Sequence, residues 1–173
     1  MKPAPTINMF DPLFSWLEST TWSAWIVGSP SLFAFPGILA AHTIGLGLLV
    51  GLSAAFDLRL LGVAPNIPPI AFARFLPVMW FGLWLNVVTG LALLLAYPTK
   101  ALTNPVFYLK LSLIAGGLLI LRATLRRVRE SLTISDSTKL LAAVSLVVWA
   151  AAIASGRLLA YTCTRLTQDF PCE

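Results

Sequence analysis

Residues 31–56 read SLFAFPGILAAHTIGLGLLVGLSAAF, a run with no formal charge and with His42 as its one titratable side chain. Crossing ~30 Å of hydrocarbon takes about 20 helical residues, so this run is long enough to span a membrane. It lies in a charge-free interval from Glu18 to Asp57. Two further intervals, Arg74 to Lys100 and Lys139 to Arg157, are also free of charge, and each contains a helix-length apolar segment. The predicted spans cover 31–56, 75–97, 105–125 and 139–161. The third contains Lys110 and Arg122, which stand about 18 Å apart at ~1.5 Å per helical residue and can snorkel to opposite interfaces.

The composition supports the same solvent. Of 173 residues, 58% are hydrophobic and 11% charged, with a mean hydropathy of +0.85. Soluble domains are roughly 45–50% apolar and about 25% charged, so charges this sparse could not cover a soluble surface of this size. A net charge of +5 could suggest nucleic acid, but the basic residues are not grouped with aromatics on a soluble module, and no nucleic-acid partner is expected. The expected partners are the lipid bilayer and other membrane-protein subunits or further copies of the chain.

Local signals mark the limits of the spans. Asn104 before Pro105 reads as an N-cap followed by proline at the first helical position, Gly62 follows the Asp57-Leu58-Arg59 end of the first span, and Ser135-Asp136 precede the fourth. Residues 10–27 place Phe10, Leu13, Phe14, Leu17 and Trp25 near one face, with Asp11-Pro12 as a start signal, and predict one amphipathic helix on the membrane interface. The expected fold is all-α: a four-transmembrane-helix bundle preceded by an N-terminal amphipathic interfacial helix. Its parts are 1–30, the N-terminal segment; 31–161, the transmembrane domain; and 162–173, a tail.

Four spans put both termini on one side. The loops on the other side and their helix ends hold Arg59, Arg74, Arg122, Arg126, Arg127, Arg129 and Lys139, against Lys2, Lys100, Lys110, Arg157 and Arg165. The compact Arg126-Arg127-Val128-Arg129 cluster places those loops in the cytoplasm by the positive-inside rule, with both termini periplasmic in a bacterial inner membrane. Trp16, Trp22, Tyr97, Tyr108 and Tyr161 then fall near the outer boundary as an aromatic belt. Met1 to Asn8 is Pro-rich and no short apolar core with a cleavage site follows, so the first span is expected to act as its own insertion signal. Cys163 and Cys172, the two cysteines, both follow the last span on the outer side and are expected to form a disulfide.

Polar groups in hydrocarbon are expensive and mark functional sites. Helix rise puts His42, Lys110 and Arg157 in the outer half of three different spans, a set suited to an anionic cofactor or substrate. Haem b is the cofactor expected, with His42 binding iron and Lys110 or Arg157 neutralising propionates. One histidine in the chain rules out intramolecular bis-histidine ligation, and Met79 sits too near the opposite side to help. The plainer alternative is that His42 hydrogen-bonds across helices, Lys110 snorkels and Arg157 marks a helix end. Asn86 and Thr89, near mid-membrane, are expected to bond to a neighbour. Gly45, the Gly47/Gly51 pair, Gly116 and Gly117 read as packing seams. Asp57 and Arg59 do not face each other on a helix and are not read as an ion pair. No Ser/His/Asp set shares a depth, and there is no phosphate-cradling glycine loop.

The strings Phe35-Pro36, Ala41-His42-Thr43-Ile44-Gly45, Asp57-Leu58-Arg59-Leu60-Leu61-Gly62, Phe107-Tyr108-Leu109-Lys110 and Gly156-Arg157-Leu158-Leu159-Ala160-Tyr161 resemble an uncharacterised family of bacterial four-helix membrane proteins, a domain of unknown function. The resemblance implies four spans and no particular reaction. A more distant likeness, carried by His42 in the first span and Lys110 early in the third, is to HemJ-type protoporphyrinogen oxidases and, more loosely, to CopD-type copper proteins. It implies haem. Where those families often carry Glu shortly before the histidine, this chain has Gly37-Ile38-Leu39-Ala40. The functional expectation is a haem b-binding electron-transfer or anchoring subunit of a membrane complex, rather than a stand-alone enzyme. Its alternatives are a cofactor-free structural or assembly subunit, and a metal or small-molecule transporter.

Overall fold

The computed structural model describes residues 11–130 and 134–161. Among them the secondary structure is helical throughout: α1 (Asp11–Glu18), α2 (Thr21–Gly28), α3 (Phe35–Leu60), a 3-10 segment (Pro69–Phe75), α4 (Leu76–Ala96), α5 (Pro98–Leu102), α6 (Pro105–Glu130) and α7 (Asp136–Tyr161). The chain is an all-α bundle. Four stretches are long and apolar enough to cross a membrane: Phe35–Leu60, Pro69–Ala96, Pro105–Glu130 and Asp136–Leu159. Between 11% and 28% of each one's most apolar window is buried inside the chain. Most of each helix surface is therefore left to the bilayer, where apolar side chains are at home.

The helix ends follow the local rules. Asn104 Oδ1 accepts from the amide of Val106 at 2.9 Å, so it caps α6 directly before Pro105. At the end of α3, Gly62 takes φ +108; its amide donates to Arg59 O at 3.2 Å and that of Val63 to Leu58 O at 3.0 Å. That pair of bonds is a Schellman stop, which favours glycine because it requires the left-handed region.

The N-terminal region departs from expectation. Instead of one helix over 10–27, two short helices meet at Ser19-Thr20, where Thr20 Oγ1 accepts from the Ser23 amide and starts α2 anew. A threonine N-cap satisfies an amide that a continued helix would have bonded to its own backbone, so it favours a break. Both helices dock on one end of the bundle: Ser23 Oγ donates to Ala96 O at 3.3 Å, and Thr99 Oγ1 donates to Glu18 Oε1 at 2.8 Å. Phe14 and Ile26 are buried there, while Trp16, Trp22, Tyr97 and Tyr108 are exposed. This is the α5 end of the bundle; the 3-10 segment marks the other.

The helices pair as two antiparallel hairpins, α3 with α4 and α6 with α7, joined mainly through α3 and α7. Glycines set the first hairpin, but not all those expected. A Cβ on Gly45 would lie 2.8 Å from Gly82 O, and one on Gly82 would lie 2.9 Å from Gly45 O. The two backbones touch at this pair. Gly47, Gly51 and Gly116 have nothing within 4 Å of a would-be Cβ, so they are not seams. In the second hairpin Gly117 receives the ring of Trp149, whose atoms lie 2.8 Å from a would-be Cβ and which is 1% exposed. Cys163 and Cys172 lie outside the described residues, as does the proposed tail.

Candidate functional site

The intramembrane site begins on α3, two turns into the helix, where His42 points its ring at α4. Gly90 lets it come close: a Cβ there would sit 3.2 Å from His42 Cε1. One turn earlier on α4, Asn86 Nδ2 donates to the backbone oxygen of His42 at 2.9 Å. The amide thus ties α3 to α4 at the residue that carries the ring, close to the Gly45–Gly82 contact. Asn86 and Thr89 both bond across to α3, as their depth suggested.

The ring's protonation pattern follows from the network around it. Thr89 Oγ1 donates its single proton to Leu85 O at 2.6 Å, so toward His42 it must accept. It lies 3.0 Å from Nδ1. Nδ1 therefore carries the hydrogen, and Nε2 presents its lone pair. That lone pair faces Lys110 Nζ of α6 at 3.3 Å. Read in order, the ammonium donates to Nε2, the ring donates through Nδ1 to Thr89, and Thr89 donates to Leu85 O.

Lys110 does not snorkel to the α5 end. It is half-buried and crosses toward α3 past Gly156 of α7, where a Cβ would lie 3.7 Å from its Cε and 3.8 Å from Nζ. Among the described residues the ion pairs are Arg126–Glu130 and Lys139–Asp136, both exposed, so neither Lys110 nor His42 meets a carboxylate. Arg157, next to Gly156, is exposed; among the described residues no hydrogen bond or ion pair joins it to the other two. The structure brings together His42 and Lys110 and leaves Arg157 on the surface.

These residues fit haem in one respect and oppose it in another. The Nδ1–H held by Thr89 is the outer-shell bond that fixes a metal-ligating histidine and leaves Nε2 for the metal. The Lys110 ammonium, however, occupies the direction from which iron would approach that lone pair. Among the described residues no group of three or more His, Cys, Asp or Glu could hold a metal ion.

A second polar group was missed from sequence. Asp57 and Ser53, four residues apart and so on one face of α3, are each 0% exposed, as is Ser145 of α7. Ser53 bonds back to Leu49 O at 2.8 Å, whereas the Asp57 carboxyl has the Ser145 hydroxyl of α7 as its polar neighbour, the two lying outside close hydrogen-bond geometry, and Trp149 Nε1 is also without a close partner. Arg59 does not answer Asp57; its guanidinium turns to the loop carbonyls of Pro65, at 2.9 Å, and Ile67. The four-residue spacing of Ser53 and Asp57 was the available signal for a buried polar stripe.

No protein-family model, curated protein or solved structure matches this chain.

Proposed function

We propose that this chain is a multi-pass inner-membrane subunit whose His42–Lys110 couple binds the anionic group of a ligand in the half of the bilayer nearer the α5 end. One observation carries the reading: the Lys110 ammonium donates to a neutral ring at 3.3 Å and meets no carboxylate among the described residues. A cation withdrawn from water without a counter-ion is costly, and a carboxylate or phosphate seated beside Nζ would offset that cost. Imidazole supports the same role, because Nε2 accepts a hydrogen bond from one ammonium N–H and steers the remaining donors toward the ligand.

Haem b is the specific cofactor that this reading favours, since its propionates are carboxylates and the Thr89 bond leaves Nε2 as the coordinating nitrogen. Lys110 would then hold a propionate and must leave Nε2. In that form the chain is an electron-transfer or anchoring subunit, with the Arg126–Arg129 cluster cytoplasmic and both termini periplasmic. An absorption spectrum of gently solubilised protein from haem-replete cells tests it: a Soret band lost in His42→Ala supports haem. A colourless protein that still retains an anionic ligand through Lys110 leaves the anion site without haem. Retention unaffected by Lys110→Met overturns both.

A second reading, a cofactor-free structural subunit, is favoured by the exposure of α6, whose apolar window is 11% buried. Isolation of the intact chain in a stable complex, unharmed by His42→Ala, supports that alternative.

A further inference from the structure

At the opposite end of the bundle, where α3, the 3-10 segment, the end of α6 and the start of α7 meet, lies an open cleft of about 670 Å³. Its polar wall has Arg59, Arg127, Glu130 and the hydroxyls of Ser135, Ser137 and Thr138, so the two guanidiniums outnumber the one carboxylate; Ile70, Val128 and Ile134 contribute to its apolar wall. We propose that this cleft binds the phosphate of an anionic lipid headgroup.

The two arginines are set by their surroundings. Arg59 is held by the Pro65 and Ile67 carbonyls, which use two of the five N–H groups of a guanidinium and leave the others to a ligand. Arg127 Nη1 donates to Ser137 Oγ at 3.3 Å, so it spans from the last turns of α6 to the first turn of α7. Ser135 Oγ stands 3.0 Å from both Ser137 Oγ and Thr138 Oγ1, giving a compact hydroxyl cluster at the positive end of a helix of 26 residues. Two acidic groups are near: Glu130, which also lines the cleft, and Asp136, and each has a cation on its own helix. Glu130 faces Arg126 at 3.9 Å, and Asp136, whose side chain is 99% exposed, faces Lys139 at 3.3 Å.

Guanidinium forks match phosphate oxygens in pairs, and the volume is that of a small-molecule site. The apolar wall selects the source. Val128 continues the spanning helix α6, and Ile70 begins the span that leads into α4, so the cleft opens where headgroups meet hydrocarbon. A basic pocket between spans at that level is the form that anionic-lipid sites take. Free phosphate would use the arginines and hydroxyls and leave the apolar wall unoccupied.

The full chain in detergent, examined by native mass spectrometry with added phosphatidylglycerol, phosphatidylcholine or inorganic phosphate, tests the assignment. The wild-type chain should retain phosphatidylglycerol over phosphatidylcholine, and Arg127→Gln should lower that retention about fivefold. Arg122→Gln, an exposed position on the same helix that does not line the cleft, should leave it unchanged. A thermal melt of each variant separates lost binding from lost fold, and Arg127→Lys, which keeps the charge without the fork, should fall between. Equal retention of the two lipids, or equal loss in Arg122→Gln, overturns the proposal. Binding of inorganic phosphate with no lipid preference also overturns it, by assigning the cleft to a free anion. Variants of His42 or Lys110 should not affect this retention, so the two sites succeed or fail separately.

Discussion

Lys110 Nζ stands 3.3 Å from His42 Nε2, although α6 packs chiefly on α7 and reaches α3 by a side chain extended past Gly156. The couple therefore depends on three helices at once. An ion, a ring and a gap in a third helix must share one depth, and each can be changed separately.

The Lys110 ammonium should carry the anion affinity. A hydrogen bond to a charged group contributes about 1.5–3 kcal/mol, so Lys110→Met should weaken retention of a carboxylate ligand by roughly 10- to 100-fold. Equilibrium binding in nanodiscs measures it, and an unchanged affinity counts against the site.

Gly156 should behave as a passage. Alanine there meets Lys110 at 3.7 Å, an ordinary contact, and should be silent. Leucine should push the stem aside and reproduce the Lys110→Met binding loss while the bundle stays folded. Comparing the two variants by thermal melt and ligand retention checks this; a silent Gly156→Leu would place the stem elsewhere.

Thr89 should fix the ring by accepting from it. Thr89→Ser keeps the hydroxyl and should keep the Nδ1–H form, whereas Thr89→Val removes the acceptor and frees the ring to exchange tautomers. Nitrogen NMR reads the difference directly because the chain has one histidine. Identical spectra for the two variants would rule out the lock.

Glycine effects on stability should follow contact rather than motif. Gly45→Ala drives a Cβ to 2.8 Å from Gly82 O and should cost ~1–3 kcal/mol, as overpacking does. Gly47→Ala and Gly51→Ala, with open space around them, should cost nothing measurable. Thermal unfolding in one detergent ranks the three; equal losses would contradict the seam.

Much of the fold was legible because its signals are local. The apolar lengths, the Asn104-Pro105 start and the Gly62 stop each depend on a few adjacent residues, and the helix limits follow them. The seam was not, because Gly45 pairs with Gly82 on another helix, whereas the better-looking Gly47/Gly51 spacing faces outward. Lys110 was read both as a partner of His42 and as a snorkelling side chain, and only Gly156 on α7, which opens a course toward α3, decides between the two. Thr20, in contrast, could have been read, since a threonine cap within a predicted helix is itself a break signal. Shared depth nominated His42, Lys110 and Arg157 alike, but depth says nothing of azimuth, and Arg157 faces outward.

Nitrogen NMR of the full chain in lipid nanodiscs, with its histidine labelled and with or without a membrane-soluble carboxylate such as decanoate, tests the couple most directly. One imidazole gives one pair of ring resonances. The expected result is a protonated Nδ1 and an Nε2 acceptor whose resonance moves when carboxylate is added, and moves again in Lys110→Met without further response to the ligand. An Nε2-protonated ring, or an Nε2 resonance indifferent to both carboxylate and the loss of Lys110, would contradict it.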